Sequence, residues 1–165
     1  MTRSDFKRRP AGGAGWRAIA CAGAIVLAPA CAQAALGGDA ASVAADQAAW
    51  GASLAVSAAS GYTDYVLQLP RGLVVHEFVN ASGLVFEVTW SGKGHRPDMA
   101  RLLGAWQGRM VATAGGARAT ARRVDLVASD LVIHSALHSR WFSGTAHLPA
   151  QLPASLTGPL AVPAR

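Results

Sequence analysis

The stretch from Ser53 to Ser91 alternates apolar and polar residues between evenly spaced turn residues, and this pattern restricts the chain to an antiparallel sheet. It predicts strands near 53–59, 62–69, 73–80 and 84–91. Arg71-Gly72 reads as a two-residue turn with glycine where a positive φ is needed. Ala81-Ser82-Gly83 reads as a three-residue turn of the glycine-bulge kind. These turns imply a register in which Leu69, Leu67 and Tyr65 oppose Val74, His76 and Phe78, which in turn oppose Trp90, Val88 and Phe86. One face is then almost wholly apolar, with His76 on it as a core histidine. The other face carries Asp64, Gln68, Glu77, Glu87 and Thr89, with Glu77 opposite Glu87. One-sided patterning of this kind requires a covering layer.

The segment after Pro97-Asp98 supplies a candidate cover. Met99, Leu102, Leu103, Trp106 and Met110 recur at helical spacing as a core-facing stripe, and Pro97 and Asp98 suit a helix start. Gly104 and Gly108 lie on the opposite side, where two glycines suggest close approach by another backbone. The plain partner is the N-terminal helix; the sharper one is a second subunit, giving a homodimer through Gly104 and Gly108. That N-terminal helix is short, with Ser42 as its expected N-cap and Gly51 ending it. Strand patterning returns at 124–127, 130–135 and 140–148, after a Gly/Ala/Arg loop at 114–123. The expected fold is therefore α+β: an antiparallel β-meander of about six strands packed on one long amphipathic helix, plus the short N-terminal helix.

The first 34 residues read as an export signal outside this fold. Arg3, Lys7, Arg8, Arg9 and Arg17 form a basic n-region, and Ala18 to Ala28 is apolar but too short for a comfortable bilayer span. Ala32-Gln33-Ala34 fits a signal peptidase, so cleavage after Ala34 is expected, with earlier cuts and lipidation at Cys31 as alternatives. This divides the chain into a cleaved signal at 1–34, one domain at 35–153 and an irregular proline-containing tail at 154–165. The protein is thereby expected in the periplasm or outside the cell.

Processing changes the charge. Of 15 Lys and Arg and nine Asp and Glu, the signal removes five bases and one acid, leaving ten and eight, a net charge of +2. The pI near 10.4 thus belongs largely to the signal, and charge gives no footing for a nucleic-acid partner. Both cysteines, Cys21 and Cys31, leave as well, which excludes a disulfide or a cysteine-based site in the mature domain. No second hydrophobic stretch is long enough to span a membrane.

Histidines carry what chemistry the sequence offers. His134, His138 and His147 lie within 14 positions, with Asp130 nearby, and imidazoles converging across a hairpin can bind zinc or copper. The alternative is strand-face histidines hydrogen-bonded beside Ser135, Ser139 and Trp141. Paired carboxylates such as Glu77 and Glu87 can divide acid and base roles, or form a solvated surface pair. Gly-x-Ser-x-Gly, phosphate-loop, dinucleotide and His-Glu-x-x-His motifs are absent. No cofactor is implied. Arg118, Arg122 and Arg123 form a small basic patch, read as a solvated loop or a contact for an acidic partner.

The chain resembles an uncharacterised family of small exported proteins from Burkholderia-like proteobacteria, a domain of unknown function. The likeness rests on Ala35-Leu36-Gly37-Gly38 at the mature start, Gly61-Tyr62-Thr63, Glu77-Phe78-Val79-Asn80, Trp90, Pro97-Asp98 and Leu102-Leu103-Gly104. A later block is Asp130-Leu131-Val132, His134-Ser135, His138, Arg140, Phe142, Gly144 and Leu148-Pro149. Ala136-Leu137 stand where that family favours Gly-Gly. The resemblance implies export and a small α+β domain, and assigns no catalytic residue. The function expected from residues and resemblance together is an exported accessory or binding protein acting on an envelope protein or a small ligand. The alternatives are a metal-dependent hydrolase using the histidines, and an envelope structural or assembly factor.

Overall fold

In a computed structural model that describes residues 36–114 and 122–160, the chain folds around one seven-stranded antiparallel sheet. The strands are β1 (Ser53–Ala59), β2 (Tyr62–Gln68), β3 (Leu73–Asn80), β4 (Val85–Lys93), β5 (Arg123–Val127), β6 (Val132–His138) and β7 (Trp141–His147). Their order is β1-β2-β3-β4-β7-β6-β5, so the final hairpin adds to β4 and leaves β5 at the far edge. The expected export signal at 1–34, with Cys31, and Arg118 lie outside the described residues.

The expected fold needs correction on two counts. The protein is mostly β rather than α+β: seven strands form the sheet, not about six, and they do not run as a simple meander. The long amphipathic helix does not exist either. Its segment is α2 (Met99–Leu103), a 3-10 turn at Gly104–Trp106, and α3 (Gln107–Thr113). Gly104 causes the break, with φ 50° and ψ −124°, a conformation no helix can accommodate and glycine adopts most cheaply. Its glycine is thus accounted for by backbone geometry. Gly108 has no neighbouring atom within 4 Å of where a Cβ would sit, so no other described backbone approaches it. The apolar stripe still does its work: Leu102, Leu103 and Met110 are buried, and Met99 and Trp106 pack against the core.

The N-terminal helix, α1 (Ala40–Trp50), is present, but its cap is Asp39, whose carboxylate accepts from the Ser42 amide at 2.9 Å. Ser42 instead turns its hydroxyl to the Asp39 carbonyl and is buried. Gly51 closes the helix in the left-handed region, as expected. Asp98 caps α2, accepting from the Ala100 and Arg101 amides.

Register is where the sequence reading slips. The turn before β3 has three residues, not two: the Leu69 amide bonds the Leu73 carbonyl and Gly72 takes φ 85°, making Pro70 a turn residue. Leu67 therefore opposes Val75, and Tyr65 opposes Glu77. The Ala81-Ser82-Gly83 turn forms as expected, with Asn80 and Leu84 paired. A bulge at Phe78/Val79 then shifts the pairing again, so that Val75 opposes Trp90 and Glu77 opposes Val88. The two slips invert β3 alone. His76 is consequently not on the apolar face. Glu77 points into it, and Glu87 opposes Phe78 rather than Glu77.

Leu67, Val75, Val88, Trp90, Ile133 and Ala146 form the core on one side of the sheet, closed by Val43 of α1 and by Leu102, Leu103 and Met110. The C-terminal segment reaches the opposite side. Its Leu160 amide donates to Glu87 at 3.0 Å, Asn80 donates to the Gln151 carbonyl, and Ser155 donates to the Ser60 carbonyl. Among the described residues no helix is long and apolar enough to cross a membrane.

Candidate functional site: a polar sheet face and a basic trough

Two places hold concentrated polar chemistry. The first is the tail-covered face, where alternation places His76, Glu87, Thr89, Thr145, His147, His134 and Asp125 on adjacent strands. Glu87 opposes His147 directly, and all three of Glu87, Thr89 and His147 are buried. Glu87 Oε1, Thr89 Oγ1 and His147 Nδ1 have no hydrogen-bond partner among the described residues. Burial pushes the Glu87 carboxyl up to about 7, against the opposing effect of the Leu160 amide. Burial, and secondarily the charge of His134, holds His147 below the usual histidine range.

The histidines singled out from sequence do not form one site. His134 and His147 share this face on neighbouring strands, but His134 is exposed and bound through Nδ1 to Asp125 at 2.8 Å. His138 ends β6, four residues and thus about 13 Å along the strand from His134. Asp130 sits at the opposite end of β6, held by Arg109 at 2.6 Å. Among the described residues, no three His, Cys, Asp or Glu side chains are grouped as a metal ion requires. Ser135 points to the other face from its neighbour His134, so the pair is not a nucleophile and base. Ala136 and Leu137 continue β6, and the turn falls at Ser139-Arg140, both with positive φ, 48° and 66°.

Glu77 is buried on the helix side, with neither carboxylate oxygen partnered, and its carboxyl is raised to about 8 by burial and by the nearby Asp46. Asp46, fully buried on α1, accepts from Arg101 at 2.8 Å. Glu77 is fully buried, so this acid belongs to the core.

The second place is one end of the sheet. The β2–β3 turn, the segment after β4, the approach to β5 and the β6–β7 turn all emerge there. They bring up Arg71, Lys93, Arg96, Arg122 and Arg140, all exposed and none within ion-pair distance of a described carboxylate. The other three described cations, Arg101, Arg109 and Arg123, are each paired to an aspartate. The one acid at this end, Asp98, is occupied as the α2 cap. The loops are tied together: the Gly94 amide donates to the Arg140 carbonyl, and Gly92 lies against the backbone of Gly72.

Three crevices run in series between these cations. One of about 180 Å³ is lined by Trp90, Met99, Leu137 and Phe142 with Arg96 and Arg122 at its rim. It shares Arg122, Leu137 and Phe142 with a second of about 460 Å³ beside His138 and Arg140. It shares Arg96 and Pro97 with a third of about 260 Å³ lined by Trp50, Leu69 and Leu73 beside Arg71 and Lys93. Gly144 makes room for the floor, since its backbone lies against the Trp90 indole where any Cβ would come within 2.3 Å. Of these five cations, the sequence reading places only Arg122 in a basic patch. Sorting the turns by which end of an antiparallel sheet they occupy would have found the rest, because the turns at 60–61, 81–84 and 128–131 hold no base.

No curated protein and no solved structure matches the chain. A profile of one family matches residues 32–158, most of the length, including both sheet faces and the trough. The chain belongs to the family described as a protein of unknown function, DUF2844.

Proposed function

We propose that this is an exported accessory protein of the periplasm or extracellular space that binds its target rather than transforming it. The observation carrying this reading is the group of adjoining crevices at one end of the sheet, two of them largely apolar and the first lined by Trp90, Leu137 and Phe142. Concave, largely apolar sites with a few charged groups are the ordinary form of a binding site. The acids of the described residues, by contrast, are scattered between the core, the tail-covered face, helix caps and the Arg109–Asp130 pair. Export is supported by the basic n-region, apolar stretch and Ala32-Gln33-Ala34 of the first 34 residues.

The test begins with protein recovered from cells expressing the full chain. An intact mass beginning at Ala35 is expected from the periplasmic fraction; the full-length mass in the cytosol would sink the export half. For binding, an apolar fluorescent dye should brighten on the protein, and Leu137→Asp, at the wall shared by two crevices, should abolish this. Unchanged dye binding in that variant defeats the assignment of the site. Metal analysis of the same sample decides the rival hydrolase built on His134, His138 and His147, which requires one bound equivalent.

A further inference from the structure

We infer that the trough binds an extended acidic segment of another protein, one that alternates carboxylate and apolar side chains. This deepens the binding reading above and rests on it. Five exposed cations without carboxylate partners face one described acid, and that acid is already used as a helix cap. A single small anion neutralises one or two such charges, so the number of cations calls for a multivalent partner. Two of the crevices, of about 180 and 260 Å³, are each suited to one apolar side chain, given that a cavity of about 150 Å³ holds a benzene ring. Arg96 and Pro97 line both of them, and Arg122, Leu137 and Phe142 line both the first and the Arg140 crevice. Each crevice therefore has at least two of the cations in its lining, which matches a chain that carries acidic side chains beside apolar ones.

A membrane surface fits less well. Binding to lipid by burial needs apolar groups that protrude, whereas Trp90 is buried and Phe142 and Leu137 are half-buried. The exposed large apolar residues, Val56 and Val127, lie elsewhere, on β1 and at the opposite end of β5. The backbone also fixes the cations. Ser139 and Arg140 both hold positive φ without glycine, a costly choice for a hairpin turn, and this turn places Arg140 at the mouth of its crevice. With Gly94 bonded to the Arg140 carbonyl and the Arg71 carbonyl 3.4 Å from the Gly94 Cβ position, the turn carrying Arg71 is held beside it.

The experiment measures binding of labelled synthetic peptides to protein recovered from cells expressing the full chain. One peptide alternates Glu with Phe and Leu; a second is all Glu, and a third keeps Phe and Leu but replaces Glu by Gln. Vesicles containing anionic phospholipid and a single-stranded oligonucleotide serve as competing probes. The alternating acidic peptide should bind tightest, by about tenfold over either control peptide, and weaken steeply with salt. Arg96→Glu and Arg122→Glu, both exposed and expected to fold, should each weaken it about tenfold, while Arg109→Glu should not. Equal binding of the all-Glu peptide, tighter binding of vesicles or oligonucleotide, or indifference to the two reversals overturns the inference. If the apolar dye binds and responds to Leu137→Asp but no peptide binds, this inference fails and the binding reading stands. If neither binds, both fail.

Discussion

The two faces of the sheet bury acids by different means. On the helix side, Glu77 lies among Val75, Val88 and the residues of α1, with no hydrogen bond to either oxygen. On the tail side, Glu87 keeps one oxygen bonded to the Leu160 amide and has His147 opposite it. Burial pushes the first carboxyl up to about 8 and the second to about 7. Glu77 is the more deeply desolvated of the two and is raised further by the nearby Asp46, whereas the Leu160 amide offsets part of the rise at Glu87. It also separates a face packed by apolar interdigitation from one covered by an irregular segment with a few side-chain bonds.

Packing on the helix side supplies the largest expected effect. At Gly144, a Cβ would meet Trp90 Cζ2 at 2.3 Å and the His134 carbonyl at 2.5 Å, and neither the buried indole nor a central strand can move away cheaply. Gly144→Val should cost about 3 kcal/mol or more, read as a fall in the urea midpoint, or should prevent folding. A loss under about 1 kcal/mol would mean that this face is far looser than its contacts.

Next in size is the pH dependence carried by Glu77. Below pH 4.5 folded and unfolded chains both hold its proton. As pH rises from there, the unfolded chain releases it while the folded chain retains it until about 8, so stability falls across that window. Glu77→Gln removes the loss. It should leave stability at pH 4 nearly unchanged and raise it at pH 8.5 by on the order of 3 kcal/mol relative to the native chain. Equal urea midpoints for the two proteins at pH 8.5 would show that water or a cation satisfies the carboxylate.

The tail side should respond less and from both directions. Glu87, raised to about 7, loses stability as pH climbs from 4.5 to 7. His147, depressed, loses it as pH falls below 6.5, where the unfolded imidazole takes a proton that the folded one refuses. Glu87→Gln should therefore gain about 1 to 2 kcal/mol at pH 8, less than Glu77→Gln, and shift the stability maximum upward. A larger gain than at Glu77 would reverse the comparison between the faces.

Much of this fold is legible in the sequence because alternation and turn chemistry are local. Seven strand segments, the Gly51 cap, the 81–83 turn and the Leu102, Leu103 and Met110 stripe all follow from neighbours within a few residues. What failed depended on single-residue accounting. Reading Arg71-Gly72 as the whole turn leaves Pro70 out of it, and Phe86 supplies an extra residue at a bulge that hydrophobicity does not announce. Together the two slips put Glu77 on the polar face, where a carboxylate is ordinarily found, and so invert β3. Gly104 looked tolerable inside a helix because its spacing preserves the apolar stripe on either side of the break. The histidines drew attention through proximity in sequence, yet strand geometry spreads His134 and His138 along β6. The basic trough was hidden because its five cations come from four separate connections and meet only when the strand order is known.

The smallest expected effect tests how far the tail-side face contributes at its margin. Asp64 of β2 lies 3.1 Å from His76 Nδ1 through both carboxylate oxygens, and both side chains are partly exposed, at 22% and 28%. His76 is also stacked on Phe78, with ring centroids 5.7 Å apart, so the ring keeps its position without the carboxylate. Solvent and salt screen such a pair, and half-exposed ion pairs contribute little. Asp64→Asn keeps a hydrogen-bonding oxygen in place and should cost about 0.5 kcal/mol or less at pH 6, in urea titrations at low salt, with the difference vanishing at about 1 M salt. A loss several times larger that survives high salt would place this pair within the tightly coupled interior of the face, extending the buried polar group from Glu87, Thr89 and His147 across β3 to β2.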